Sequence, residues 1–326
     1  MNRLIDKFGR DIRYLRISVT DRCDLRCSYC MSEKMKFLPK RDLLTLEELA
    51  QVAHRFIDFG VEKIRISGGE PLVRKDVMAL FSEISPRLKN GLSELTLTTN
   101  GTQLEKHADQ LAALGVKRIN ISLDSLNRDT FAALARRNIF PQVLTGIQAA
   151  KEANIHVKIN TVLLPENLNE IPDMMRWAHG QGFDMSLIEI MPMGQTDIER
   201  RMQFVPMNQV KDLLRKKYTL EPMVTSQRLS GPARYNFVKE TQGKIGFISP
   251  LTNNFCAGCN RVRLTCTGRI YMCLGQDDHI DLRDTLRGGG NLDKQIARAV
   301  NMKPEAHDFS ITDRPSVARY MSVTGG

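Results

Sequence analysis

The sequence has no apolar run of about 18 residues, so nothing in it reads as a membrane-spanning helix. It has one tryptophan and an aromatic content of 6%, too little for the stacking platforms on which single-stranded nucleic acid is usually held. It contains no GxxxxGK[ST] segment, so no P-loop holds a phosphate here. Met1 to Val19 lacks a secretory apolar core, because Arg3, Asp6, Lys7, Arg10, Asp11, Arg13 and Arg16 interrupt it. There is no solenoid repeat and no low-complexity tract. Seven cysteines are an odd number, which excludes a fully paired secreted disulfide scaffold and leads us to expect the reducing cytoplasm.

The 326 residues suggest roughly two domains at about 150 each, or one large α/β barrel with an appendage. A chain of this size buries about 75% of its extended surface. It needs no metal merely to stay folded. The 47 Lys and Arg against 37 Asp and Glu leave a formal charge of +10, which calls for an anionic partner: nucleic acid, acidic lipid or a small phosphorylated molecule.

The first two thirds alternate β-rich runs with helical patterns. Strands are predicted at Tyr14–Thr20, Lys63–Ser67, Glu94–Asn100, Arg118–Asp124, His156–Leu164 and Met185–Met191. Helices are predicted at Thr45–Phe59, opened by the capping box Thr45-Leu46-Glu47-Glu48, and at Lys75–Leu88, Leu104–Leu114, Gln142–Ala153 and Asn169–Gly180. Repeated strand–helix units predict a parallel sheet with right-handed crossovers. The strand parity adds to this. Arg16/Ser18/Thr20, Lys63/Arg65/Ser67, Thr96/Thr98/Asn100, Asn120/Ser122/Asp124 and Lys158/Asn160 share one parity, and the other is mostly Ile, Val and Leu. Closed barrels fill their interior with branched apolar side chains. A polar, cationic inner face instead predicts an open α/β fold, a partial (β/α)6 TIM-like barrel over residues 1–200 whose lumen holds water or a charged ligand. A sheet with one solvated face is the plainer alternative, common among antiparallel sheets and unusual among parallel ones. Beyond the charge cluster Glu199, Arg200 and Arg201 and a helix predicted at Asn208–Lys217, short runs rich in Gly, Pro and Asn predict a smaller C-terminal module over 201–326.

Six cysteines fall into two groups. Cys23-x3-Cys27-x2-Cys30 follows the first strand, where parallel α/β folds place their active-site loops. Three close thiolates in a reducing compartment read as a metal or iron–sulfur site. Zinc asks for a fourth ligand, and the nearest histidine is His54. A four-iron cluster on three thiolates would keep one iron open to exchange. Cys256-x2-Cys259-x13-Cys273 is either three legs of a zinc ribbon or a second such cluster carried by the C-terminal module. Cys266, between Leu264 and Ile270, has the parity of a packed side chain. Arg261 and Arg263 alternate onto one side of an extended segment beside Cys259.

The spacing Cys23-x3-Cys27-x2-Cys30, with Tyr29 before the last cysteine, resembles the signature of the radical S-adenosylmethionine (SAM) enzymes. Ser67-Gly68-Gly69-Glu70-Pro71 is similar to that family's GGEP segment. Cys256-x2-Cys259-Asn260-Arg261-x-Arg263 with Cys273, and Gly325-Gly326 after Tyr320-Met321-Ser322, closely resemble the GTP 3′,8-cyclase family of molybdenum cofactor biosynthesis, from about Tyr14 to Gly326.

The resemblance implies two 4Fe–4S clusters and S-adenosyl-L-methionine as cofactors, held by Cys23, Cys27 and Cys30 and by Cys256, Cys259 and Cys273. It implies cleavage of SAM to a 5′-deoxyadenosyl radical, abstraction of the 3′ hydrogen of GTP, and closure of the ribose carbon onto C8 of guanine. Tyr29, Gly69, Glu70, Ser122 and Met191 would contact SAM, although a methionine at a strand end is also an ordinary packing residue. Arg16, Lys63, Arg65, Thr98, Lys158, Arg261 and Arg263 would contact GTP, and no side chain stands out as a general acid or base. The glycine tail would enter the active site. Ser186 stands where the family usually has arginine, with Arg176 or Arg201 as substitutes. The expected partners are GTP and an electron donor of unspecified identity, without nucleic acid or membrane, on a monomer or homodimer. Two rivals remain in view at this point: a radical SAM enzyme with an auxiliary cluster acting on another substrate such as a peptide, and a basic zinc protein that binds nucleic acid.

Overall fold

Leu15, Ile17, Ile64, Ile66, Leu95, Leu97, Ile119, Ile121, Val157 and Ile159 alternate with polar residues along five short segments, and all ten are buried in the computed structural model. Residues 3–224, 231–312 and 315–325 are described. Burying each of these side chains is worth about 1.5–3 kcal/mol, which fixes one face of every strand against a helical layer. The units run β1 (Tyr14–Ser18), α1 (Leu46–Asp58), β2 (Lys63–Ser67), α2 (Val77–Ile84), β3 (Glu94–Thr99), α3 (Leu104–Ala113), β4 (Arg118–Ser122), α4 (Arg128–Ala135), α5 (Phe140–Glu152), β5 (His156–Val162), α6 (Ile171–Gly180) and β6 (Asp184–Ile188). Thr45 accepts from the Glu48 N–H at 3.1 Å while Glu48 accepts from the Thr45 N–H at 2.7 Å, so the capping box opens α1 as its sequence requires.

All six strands are parallel neighbours in the order of the chain, the arrangement of a partial barrel. The C-terminal third does more than wrap onto them. After a helix at Met207–Arg215 come β7 (Leu220–Pro222), β8 (Arg234–Val238), β9 (Gly243–Ile248), β10 (Arg261–Leu264), β11 (Arg269–Tyr271) and β12 (His279–Asp281). β9 adds in parallel beside β6, and β10 adds in parallel beside β1. The sheet order is therefore β12-β11-β10-β1-β2-β3-β4-β5-β6-β9-β8-β7, open at both ends. Both edges of the six-stranded core are continued by strands from the C-terminal module.

The helix α4 has no counterpart among the helices predicted from sequence. It is eight residues long, capped by Asn127 accepting from the N–H groups of Asp129 and Thr130, and it stops at Arg136, which adopts φ 53°. So short a segment carries little periodicity. Among the described residues no helix is long and apolar enough to cross a membrane.

Candidate active site

Parallel register places like positions side by side on the polar face. Arg16 lies between Arg65 on β2 and Arg263 on β10, and Asn120 lies beside Lys158. That face encloses a cavity of about 310 Å³.

The loop after β1 carries Cys23, Cys27 and Cys30. The Cys30 and Met31 N–H groups both donate to the Cys27 carbonyl, at 2.9 and 3.2 Å. The end of α4 grips the loop from outside, since Arg26 N–H reaches the Ala135 carbonyl at 3.0 Å and Ser28 N–H the Leu134 carbonyl at 2.9 Å. Arg200, buried, donates to the Tyr29 carbonyl and to the Met193 carbonyl. Asn100 Nδ2 lies 3.7 Å from Cys23 Sγ and 2.6 Å from Asp24 Oδ1. Burial pushes all three thiols up, Cys30 to about 11 even with Arg200 nearby. The protein thus does little to ionise these sulfurs. A bound metal group would, because coordination deprotonates a thiol outright.

The second set is built differently. Cys256 opens a short 3-10 turn, its N–H donating to Asn254 Oδ1 at 2.6 Å, and Cys259 N–H closes the turn on the Cys256 carbonyl at 2.9 Å. Cys273 follows β11. Arg261 Nη2 lies 3.7 Å from Cys259 Sγ, and Lys303 Nζ lies 3.5 Å from it. Burial pushes the Cys259 thiol up, but Arg261 and Lys303 outweigh it and bring it down to about 6. Both triads face the same cavity, and all seven cysteines are free thiols. Among the described residues no three His, Cys, Asp or Glu side chains are gathered around a single-ion position. Each triad offers three soft sulfur donors to the cavity, the donor chemistry that a cubane takes. Cys266 is fully buried with its carbonyl bonded to Leu44 N–H at 2.7 Å, a packed residue.

Between the triads stand the cations. Glu94 bridges Lys63 Nζ and Arg118 Nη2, each at 2.7 Å. Among the described residues Arg65, Lys158, Arg261 and Arg263 enter no ion pair with a carboxylate. Arg65 donates to Thr98 Oγ1 at 3.1 Å, and Lys158 Nζ donates to the Tyr235 hydroxyl at 3.2 Å. Burial, then Arg65, Arg118 and Lys63, drive the Lys158 ammonium well below its ordinary range. Burial, then Arg16 and Arg261, do the same to Arg263. Charges held this way want an anion.

Tyr14 reports on the same field. Burial would push its phenol up, yet Arg65, Arg16, Lys63 and Arg261 pull it down to about 8, below the usual value near 10. An anion that pairs those cations removes what depresses the phenol, so the phenol takes up a proton when the anion binds. Affinity for a polyanion is therefore expected to fall as pH rises through about 8. Calorimetry near pH 8 in buffers of different ionisation heat should register proton uptake, and Tyr14→Phe should abolish it; equal uptake in that variant would refute the assignment.

Of the residues expected to hold the clusters, SAM or GTP, all but Glu70 line the cavity. The Glu70 carboxylate turns away from it and accepts from Thr99 Oγ1 at 2.9 Å, Asn100 N–H at 2.6 Å and Leu72 N–H at 3.0 Å, bracing the ends of β2 and β3. Gly69 is required by close packing, since a Cβ there would sit 2.4 Å from the Arg22 carbonyl oxygen. The Tyr29 hydroxyl donates to Asp124 at 2.7 Å. Arg176 does not stand in for an arginine at Ser186: it pairs with Asp173 on the surface. Arg201 is exposed and does not line the cavity. Ser186 instead leaves room for Tyr235 and Gly246. Two further cations line the cavity, Arg118 and Arg200; Arg118 was missed although its parity with Asn120 and Ser122 could have revealed it.

The tail reaches this space. Arg263 Nη1 donates to the Gly325 carbonyl at 2.6 Å. Gly325 has φ 75°, and a Cβ on it would come within 2.0 Å of Ser67 Oγ, so only glycine fits at the end of β2. Gly326 lies outside the described residues.

A partial barrel with a Cys-x3-Cys-x2-Cys loop after its first strand defines a radical SAM protein, and the Radical SAM superfamily model matches residues 17–178. The model described as Molybdenum Cofactor Synthesis C matches residues 183–309. GTP 3′,8-cyclases of Brucella canis and Brucella suis are each 54% identical over 331 residues, 99% of this chain and 96% of the relative. The chain belongs to the GTP 3′,8-cyclase family. In fold it resembles Streptococcus suis SuiB bound to S-adenosylmethionine, with a TM-score of 0.62 at 14% identity over 97% of this chain and 79% of that one.

Proposed function

We propose that the chain is a GTP 3′,8-cyclase, a radical SAM lyase that converts GTP to (8S)-3′,8-cyclo-7,8-dihydroguanosine 5′-triphosphate in the first step of molybdenum cofactor biosynthesis. Its cofactors are two 4Fe–4S clusters and S-adenosyl-L-methionine. The observation that carries the reading is a single cavity with a thiol triad at each side and buried, carboxylate-free cations between them.

Bound there, the first cluster and SAM supply the carbon radical that begins the reaction. The chain's own residues bind and orient. Cys23, Cys27 and Cys30 would hold the first cluster, with Tyr29, Gly69, Ser122 and Met191 around SAM and Glu70 bracing the loop behind it. Cys256, Cys259 and Cys273 would hold the second. Arg16, Lys63, Arg65, Thr98, Lys158, Arg261 and Arg263 would meet GTP, the arginines in charge-assisted hydrogen bonds suited to phosphate oxygens. Enclosure keeps water from reactive intermediates. The cations point into the lumen and not along an exposed stripe, which supports a small anion over nucleic acid. We place the enzyme in the cytoplasm as a monomer or homodimer, reduced by an electron donor that the sequence does not name.

Anaerobic incubation with SAM and GTP should give 5′-deoxyadenosine and a cyclised purine nucleotide. Deoxyadenosine formation indifferent to GTP would remove the substrate assignment.

A further inference from the structure

Lys303 is 2% exposed, and nothing above requires it except its nearness to Cys259. It follows the helix Leu292–Asn301, with its N–H on the Val300 carbonyl at 3.1 Å. Its Nζ donates to the Arg261 carbonyl at 2.8 Å, to the Met272 carbonyl at 2.6 Å and toward Cys259 Sγ at 3.5 Å. An ammonium has three hydrogens, and these three acceptors use them. Among the described residues it enters no ion pair with a carboxylate.

A buried cation that meets only neutral carbonyls is costly unless an anion lies close. The anion within reach is sulfur. The acceptors also come from separate stretches: Cys259 closes the turn that bears two cysteines, Arg261 starts β10, and Met272 immediately precedes Cys273. One side chain thus ties the backbone of both cysteine-bearing stretches together and puts a positive charge on the side of Cys259.

We propose that Lys303 is a positioning residue and fixed counter-charge for the cofactor held by Cys256, Cys259 and Cys273. This rests on those cysteines being cluster ligands. Reduction adds negative charge to the group, and a fixed cation beside it in a low-dielectric wall favours the reduced form. The side chain therefore raises the midpoint potential of the second cluster and leaves that of the first alone.

The test is an anaerobic redox titration of the reconstituted full chain followed by electron paramagnetic resonance, with iron counted in parallel, for wild type, Lys303→Met and Lys303→Gln. Methionine drops both charge and hydrogen bonds; glutamine keeps a donor. The expected result is about eight irons per chain in all three. One of the two waves should move down in both variants by at least tenfold in the reduced-to-oxidised ratio, about 59 mV for one electron. Loss of about four irons from both variants would show that Lys303 only holds the site together and would overturn its role as a counter-charge. Unchanged waves in both, or a wild-type midpoint in the glutamine variant alone, would overturn the assignment. Wild-type protein with only about four irons and a single wave would instead overturn the reading of the second triad itself.

Discussion

Replacing Cys30 with alanine is expected to leave a folded protein with about four irons per chain in place of about eight, and to abolish cleavage of SAM even when GTP is present. The loop does not depend on this side chain for its shape. Its backbone is fixed by the Cys30 N–H on the Cys27 carbonyl, by the end of α4 and by Arg200 on the Tyr29 carbonyl. What alanine removes is one corner of a three-thiol tripod in which burial pushes every remaining sulfur toward the protonated form. Two such thiols cannot hold a cubane. Cys273→Ala should give the complementary outcome, about four irons and surviving SAM cleavage without a cyclised nucleotide. Iron analysis with chromatography of the deoxyadenosine and purine products reads both. About eight irons in Cys30→Ala would mean that this triad is not the ligand set.

Lys158→Met is expected to weaken GTP binding by roughly 30-fold or more, because losing one buried partner of a charged hydrogen bond costs about 2–5 kcal/mol. The same substitution is expected to stabilise the ligand-free protein. Lys158 is buried beside Arg65, Arg118 and Lys63 with, among the described residues, only the Tyr235 hydroxyl as acceptor, and exchanging such a cation for an apolar side chain of similar volume removes its desolvation penalty. The melting temperature without nucleotide should rise while the upward shift produced by saturating GTP shrinks. The two changes are read in one thermal-shift experiment. A lower melting temperature with unchanged GTP affinity would show that Lys158 is structural.

Much of this site was legible before any coordinates, for a physical reason. In a parallel sheet each strand repeats every second residue, so a polar parity written into five strands must become one continuous polar surface. Arg16, Arg65 and Lys158 follow from that rule alone. Arg118 obeys it too, standing first on its strand as Lys63 does on its own. The cysteine spacings were legible because the ligands of each turn are local in sequence. Three other features were not. Lys303 and Arg200 act on distant carbonyls, and no spacing records such a contact. Tyr235 lies on β8, whose sequence neighbours carry turn residues. The positions of β9 and β10 depend on pairing with strands that are not their sequence neighbours, β6 and, from the other end of the chain, β1, and their short runs carry no sign of their partners.

That pairing has a consequence for how the catalytic chamber comes into being. β1 is joined to its neighbour β10 across most of the chain, Arg16 lying beside Arg263, and β6 meets β9 across the intervening helices. Closing a loop that long carries a large entropic penalty, and non-local parallel pairing is intrinsically slow. The six strand–helix units can assemble from contacts near in sequence. The two arginines of β10 and the second cysteine triad join them only when the last third of the chain zips onto both free edges. The step that completes the sheet is thus the step that crowds the cations together and encloses the reaction space.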